Sequence, residues 1–97
     1  MNANEIAIYL LESCNSLKHF DSYMFGSTLH GVGCDIDLLI VGPSGTELSI
    51  LKQEIDDAGS ELPFDVLYMN PSEAIETNFV NREKCIELSI LASNALR

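Results

Sequence analysis

Apolar residues recur along this chain in two rhythms, and the switches between them mark its elements. From about Glu5 to Lys18, Ala7, Leu10, Leu11, Cys14 and Leu17 fall at helical spacing and make one apolar face. Asn2 caps the start, with Glu5 three residues on, as in a capping box. His19-Phe20-Asp21 ends this helix, and Ser22-Tyr23-Met24-Phe25 is aromatic and strand-like, leading into Gly26-Ser27. Thr28 to Gly33 is a short connection with room for one helical turn after Ser27.

The rhythm then becomes a period of two. From Asp35 to Val41, Ile36, Leu38 and Ile40 share one face, while Asp35 and Asp37 share the other with Leu39 and Val41. Gly42-Pro43 closes that strand. Ser44-Gly45-Thr46-Glu47 reads as a second capping box, followed by Leu48, Leu51, Ile55 and Ala58 at helical spacing, with Gly59 as the stop. A third strand runs over Leu62 to Met69, with Phe64, Val66 and Tyr68 on one face and Asp65, Leu67 and Met69 on the other.

Asn70-Pro71-Ser72-Glu73 opens a further helix that turns Ala74, Ile75 and Phe79 inward. A last helix, from about Arg82, buries Cys85, Leu88, Leu91 and Ala92. The order helix, strand, strand, helix, strand, helix, helix predicts an α/β (α+β) fold. Its centre is a small mixed three-stranded sheet flanked by about four helices, in a single domain over residues 1–97.

Composition narrows the classes. A hydrophobic fraction of 46% is that of a folded chain, which argues against disorder. No apolar run is long enough to span a bilayer, so no membrane association is expected. Met1 to Glu5 lacks the basic start and apolar block of a signal peptide, and a cytoplasmic location is expected. Cys14, Cys34 and Cys85 are odd in number and widely spaced, against both a disulfide framework and a zinc knuckle. Cys14 and Cys85 fall on apolar helix faces and read as buried, reduced thiols. Cys34 adjoins Asp35, whose charge disfavours a thiolate.

The net charge is −10, and the only basic residues, Lys18, Lys52, Arg82, Lys84 and Arg97, are scattered. Such a chain repels a phosphate backbone and forms no counterion-releasing patch, so nucleic acid is not expected as a partner. Divalent cations and basic protein partners remain compatible with it.

Candidate chemistry centres on the glycine turn and its aspartates. Asp35 and Asp37 point the same way, and two carboxylates a few ångströms apart repel each other and favour a cation between them. Asp65 is a third carboxylate, placed among apolar residues in a strand that reads as buried; ionised there, it needs a partner or a cation. Gly26 and Ser27 form a turn of small residues whose backbone can approach a phosphate.

Gly26-Ser27, then Asp35-x-Asp37 on one strand, then Asp65 on the next, resembles the nucleotidyltransferase domain of the DNA polymerase β-like superfamily. The likeness is greatest to its small prokaryotic members, the minimal nucleotidyltransferases, and it covers about Tyr23 to Met69. The resemblance implies that Asp35, Asp37 and Asp65 are catalytic and hold two Mg²⁺ ions, with Mn²⁺ as an alternative. It implies that Gly26 and Ser27 bind the β- and γ-phosphates of a nucleoside triphosphate, ATP. The resemblance implies that an AMP group would then pass to a hydroxyl acceptor on a partner protein, in a toxin–antitoxin pair, because small members often act as antitoxins beside a helical toxin. The family's larger members carry added domains that hold the acceptor.

Two features depart from the family pattern. Seven residues separate Ser27 from Asp35, fewer than is usual, and His30 stands where an arginine is common. They motivate the alternative of a catalytically degenerate nucleotide- or metal-binding module that neutralises or regulates a partner. Blander readings stand beside the sharp ones. An Asp-x-Asp pair on an exposed edge is often only solvated, and Ser27 can simply cap its turn. His30 is more simply a turn residue than a base, and Tyr9, Tyr23 and Tyr68 are core or rim aromatics. Arg82 and Lys84 read as solvated surface cations. The oligomeric state is left open.

Overall fold

The computed structural model describes residues 2–30 and 35–95. Helix α1 (Ala3–Ser13) begins on the expected capping box: the Glu5 N–H donates to the Asn2 side chain at 2.9 Å, and the Asn2 N–H donates to Glu5 Oε1 at 3.0 Å. The helix stops earlier than the apolar spacing predicts. Cys14 caps it, and Asn15–His19 continue as a 3-10 turn. Leu17 is still buried from that turn, so the apolar rhythm outlasts the α-helix.

Strands β1 (Asp21–Phe25) and β2 (Ile36–Val41) pair antiparallel. Helix α2 (Thr46–Ala58) then carries the chain over to β3 (Phe64–Met69), which lies parallel to β2. A parallel pair needs such a crossover, which explains the helix between two neighbouring strands. Among the described residues the sheet has four strands rather than the three expected from the sequence, in the order β3-β2-β1-β4. The fourth, β4 (Ile86–Glu87), pairs with Tyr23 and Met24 of β1. Two residues are too few to display a period, so this strand leaves no rhythm in the sequence.

Strand β4 also divides the helix expected from about Arg82. The chain instead forms α3 (Pro71–Thr77), the short α4 (Phe79–Arg82), then β4, then α5 (Leu88–Ala95). Five α-helices, rather than about four, are present among the described residues. Left-handed backbone at Asn78 and Lys84, with φ of 52° and 54°, brackets α4 and turns the chain at each end. Cys85 therefore sits half-buried in a connection, not on a helix, while Cys14 is buried; both are free thiols. Cys34 and the glycines at 31 and 33 lie outside the described residues.

Two apolar layers sandwich β2. Ile36, Leu38 and Ile40 pack with Met24 against α1, α2 and α5. Leu39 and Val41 face the other way, onto Phe79 of α4. Fully burying each such aliphatic side chain contributes about 1.5–3 kcal/mol. A slip by one residue would exchange the two faces, so the register of β2 is firmly fixed. Strand β3 is a sheet edge, and its alternation is shallower. Phe64, Val66 and Tyr68 are half-buried towards α2, while Asp65 and Leu67 are exposed.

Two further expectations need correction. Ser44 does not cap α2: Gly45 is the N-cap, with φ of 101°, and no side chain bonds the free N–H groups there. Ile75 does not turn inward but is 80% exposed, because α3 lies over the sheet only through Ala74 and through Phe79 beyond it. The capping box of α3 does form, with the Glu73 N–H donating to Asn70 Oδ1 at 2.8 Å. Among the described residues no helix is long and apolar enough to cross a membrane.

Candidate active site

The register of the two parallel strands places Asp37 directly opposite Asp65. Neighbouring strands lie about 4.8 Å apart, and opposed residues point to the same face, so the two carboxylates stand side by side. The firmness of β2 holds this pair in place, since Leu38 and Leu39 on either side of the strand are fully buried. Asp65 is on the surface of an edge strand, not in a buried one as the apolar neighbours suggested. The sheet order decides that, and no strand pattern reveals which strand is outermost.

On its other flank Asp37 pairs with Phe25, the last residue of β1. The chain then turns at Gly26, with φ of 80°. A Cβ at Gly26 would overlap Asp37 Oδ2 and push that carboxylate aside, and the left-handed backbone itself favours glycine. The turn and the carboxylate are thus in contact.

Ser27–His30 form a single 3-10 turn, as the sequence allowed, with the Leu29 N–H donating to Gly26 O at 3.2 Å. Ser27 is half-buried at its start and His30 is exposed at its end. Thr28 was not singled out in the sequence, yet its hydroxyl donates to the Asp35 carbonyl at 2.9 Å. That bond ties the turn to the entrance of β2. A threonine within a turn of small residues is the one signal that could have marked it.

Asp35 lies at the bend before β2 and is exposed. Burial pushes the Asp37 carboxyl above its ordinary value, and the charges of Asp65 and then Asp35 push it further. All three carboxylates therefore act on one region of space. Among the described residues, however, no three His, Cys, Asp or Glu groups converge into a ready ligand set. The fold brings Asp37, Asp65 and Gly26 together; Asp35 is exposed at the bend before β2, and Ser27 follows Gly26, half-buried.

The same sheet face carries an aromatic wall. Phe79 meets Phe25 edge to face, with ring centroids 5.1 Å apart and planes at 85°. The Arg82 guanidinium lies 5.8 Å from the Phe79 centroid and is loosely paired with Glu83 at 3.9 Å. Sequence spacing assigned Phe79 to the interior correctly, but the place of Arg82 above it follows only from the turn at Asn78.

An all-oxygen donor pair on neighbouring strands, a glycine turn pressed against one carboxylate, and a mixed sheet with helices on both faces define a nucleotidyltransferase-like α/β protein. The nucleotidyltransferase domain family model matches residues 8–89, and the chain belongs to that family. The match takes in both carboxylate-bearing strands, the Gly26-Ser27 turn and most of α1. Membership supports nucleotidyl transfer as the chemistry of this fold, with a nucleotide as substrate. No curated protein and no solved structure matches the chain.

Proposed function

We propose that this chain is a metal-dependent nucleotidyltransferase that moves AMP from ATP to a hydroxyl on a partner protein, as the antitoxin of a toxin–antitoxin pair. The observation that carries the reading is the contact of Gly26 with Asp37 while Asp37 stands opposite Asp65. It supplies a backbone turn for phosphates and a carboxylate pair for cations in one place.

The residues fit hard divalent cations, because carboxylate oxygens without sulfur or imidazole suit Mg²⁺ and Mn²⁺. Asp37 and Asp65 would hold them, with Asp35 joining by rotation of its exposed side chain. Two bound Mg²⁺ ions would neutralise phosphate charge and stabilise the leaving pyrophosphate. Asp65, the most accessible of the opposed pair, takes the proton of the acceptor hydroxyl as it attacks the α-phosphorus. Gly26 and Ser27 offer backbone N–H groups and a hydroxyl to the β- and γ-phosphates and hold the leaving group in line. Thr28 keeps that turn docked on β2 through its bond to Asp35.

The acceptor belongs to a separate chain in this reading, because the net charge of −10 favours a basic protein over a polynucleotide. Incubation with α-labelled ATP, Mg²⁺ and the product of the neighbouring gene is expected to label that product. Equal labelling by Asp37→Ala would sink the assignment. A second reading, a degenerate module that regulates its partner without turnover, is motivated by His30 and the short loop. It predicts partner binding that survives loss of Asp35, Asp37 and Asp65 together, with no label transferred by the intact protein.

A further inference from the structure

A triphosphate approaching Asp37 and Asp65 meets carboxylates on a chain of net charge −10, so a cation from the protein on that face would add to what bound Mg²⁺ neutralises. The described residues include Lys18, Lys52, Arg82 and Lys84. Lys18 sits in the 3-10 turn whose Leu17 packs into the core beneath α1 and α2, away from the aspartates. Lys52 is held over the Tyr68 ring at 4.9 Å, and Tyr68 points to the α2 side of β3, opposite to Asp65. Arg82 and Lys84 belong to the segment that packs on the carboxylate face.

Arg82 has the connection to the site. Its guanidinium lies over Phe79, Phe79 packs edge-on against Phe25, and Phe25 is opposite Asp37 and adjoins Gly26. The backbone beneath it is pinned. The Arg82 N–H donates to Asn78 O at 2.9 Å, the Cys85 N–H donates to Val80 O at 2.9 Å, and Asn81 Nδ2 donates to Asn78 Oδ1 at 2.9 Å. The side chain itself is 61% exposed, and its one ion pair among the described residues, to Glu83, is long and solvated. Exposed pairs of that kind hold weakly, so the guanidinium can leave Glu83 for a stronger anion. A planar fork on a fixed base with a free end is suited to bidentate contact with phosphate.

We propose that Arg82 binds the β- and γ-phosphates of the nucleotide, swinging from Glu83 across the Phe79 ring to the Gly26-Ser27 turn. The proposal rests on the nucleotidyl-transfer reading of the site. It assigns Arg82 to substrate binding and Lys84, two residues on and without the aromatic contact, to the surface.

The test is isothermal titration, in Mg²⁺, of α,β-methylene-ATP and of AMP into the full chain and into Arg82→Gln, Arg82→Lys and Lys84→Gln, with thermal melts to show that each variant folds. Arg82→Gln is expected to weaken the triphosphate analogue roughly tenfold and AMP far less, with Arg82→Lys between and Lys84→Gln near the natural protein. Three results each overturn the proposal: Arg82→Gln binding the analogue as the natural protein does, analogue and AMP weakened alike, or Lys84→Gln as damaging as Arg82→Gln. In those cases the natural protein still binds the analogue and the reading of the site stands. A natural protein that binds no analogue rejects that reading and the role of Arg82 with it.

Discussion

At the scale of single residues, Asp37 is where the fold and the proposed chemistry oppose each other. Its carboxyl is raised above 3.8 by burial first, then by Asp65 and Asp35. The folded protein therefore holds that proton more tightly than the unfolded chain does. This contribution favours folding below 3.8 and is lost as pH rises through the raised value, so at neutral pH the ionised group costs stability. Without divalent cations, Asp37→Asn is expected to melt about 2–4 °C higher at pH 7, because like charges on opposed strand positions destabilise by a fraction of a kcal/mol. The gap should close as the pH approaches 3.8, and a variant that melts lower at pH 7 contradicts the account. In saturating Mg²⁺ the order reverses: a ligand at a hundred times its Kd adds about 2.7 kcal/mol to the natural protein, and little to Asp37→Asn. Gly26→Ala meets both the left-handed backbone and the overlap with Asp37 Oδ2, so a loss of at least 1–2 kcal/mol is expected in denaturant unfolding. Residue type and strand parity were enough to single out Asp35, Asp37, Asp65, Gly26 and Ser27 in sequence, and of these the fold brings Asp37, Asp65 and Gly26 together. Parity could not show that Asp65 is at an edge or that Asp35 precedes the strand, since both depend on where the sheet ends.

The elements divide by whether their signal is local. Capping boxes at Asn2 and Asn70 involve residues three apart, and both formed as the sequence indicated. Ser44 offered the same letters, yet Gly45 with φ of 101° took the cap position instead. Asn70→Ala is therefore expected to cost about 1 kcal/mol, while Ser44→Ala changes stability by no more than a few tenths. Equal losses on denaturant titration would show that Ser44 does cap in solution. Central β2 was readable because both its faces are buried, which makes it a near-continuous apolar run interrupted only by Asp37. Strand β4 was not, since two residues carry no period and only pairing with Tyr23 and Met24 makes them a strand. The same limit hid α4, which is a consequence of left-handed Asn78 and Lys84. Phe79 is what that short helix delivers, onto Leu39 and Val41 beneath the aromatic wall. Phe79→Ala should cost about 3 kcal/mol, and by loosening the base of Arg82 it should also weaken triphosphate binding. Loss of stability with unchanged binding would separate the wall from the site.

Charge belongs to the whole molecule. Fifteen acidic residues against five basic ones make a surface whose self-repulsion acts at every separation up to the screening length. Among the described residues the one ion pair is the exposed contact of Arg82 with Glu83, so the repulsion has little local relief. The core that opposes it is well formed, with Leu10, Met24, Leu38, Leu39, Ile40, Leu51 and Leu88 fully buried. Raising monovalent salt from 0.01 to 0.15 M shortens the Debye length from about 30 to about 8 Å. The melting temperature should accordingly rise with NaCl, and sodium and potassium should act alike because only ionic strength is involved. Mg²⁺ should add a second, saturating increment at constant ionic strength, and that increment should vanish in the Asp37→Asn, Asp65→Asn double variant while the NaCl response remains. A Mg²⁺ increment that persists in the double variant would assign it to diffuse surface charge. The carboxylates of β2 and β3 would then be no more than part of an acidic surface, whereas its loss ties the divalent response to the face that Gly26 and Arg82 border.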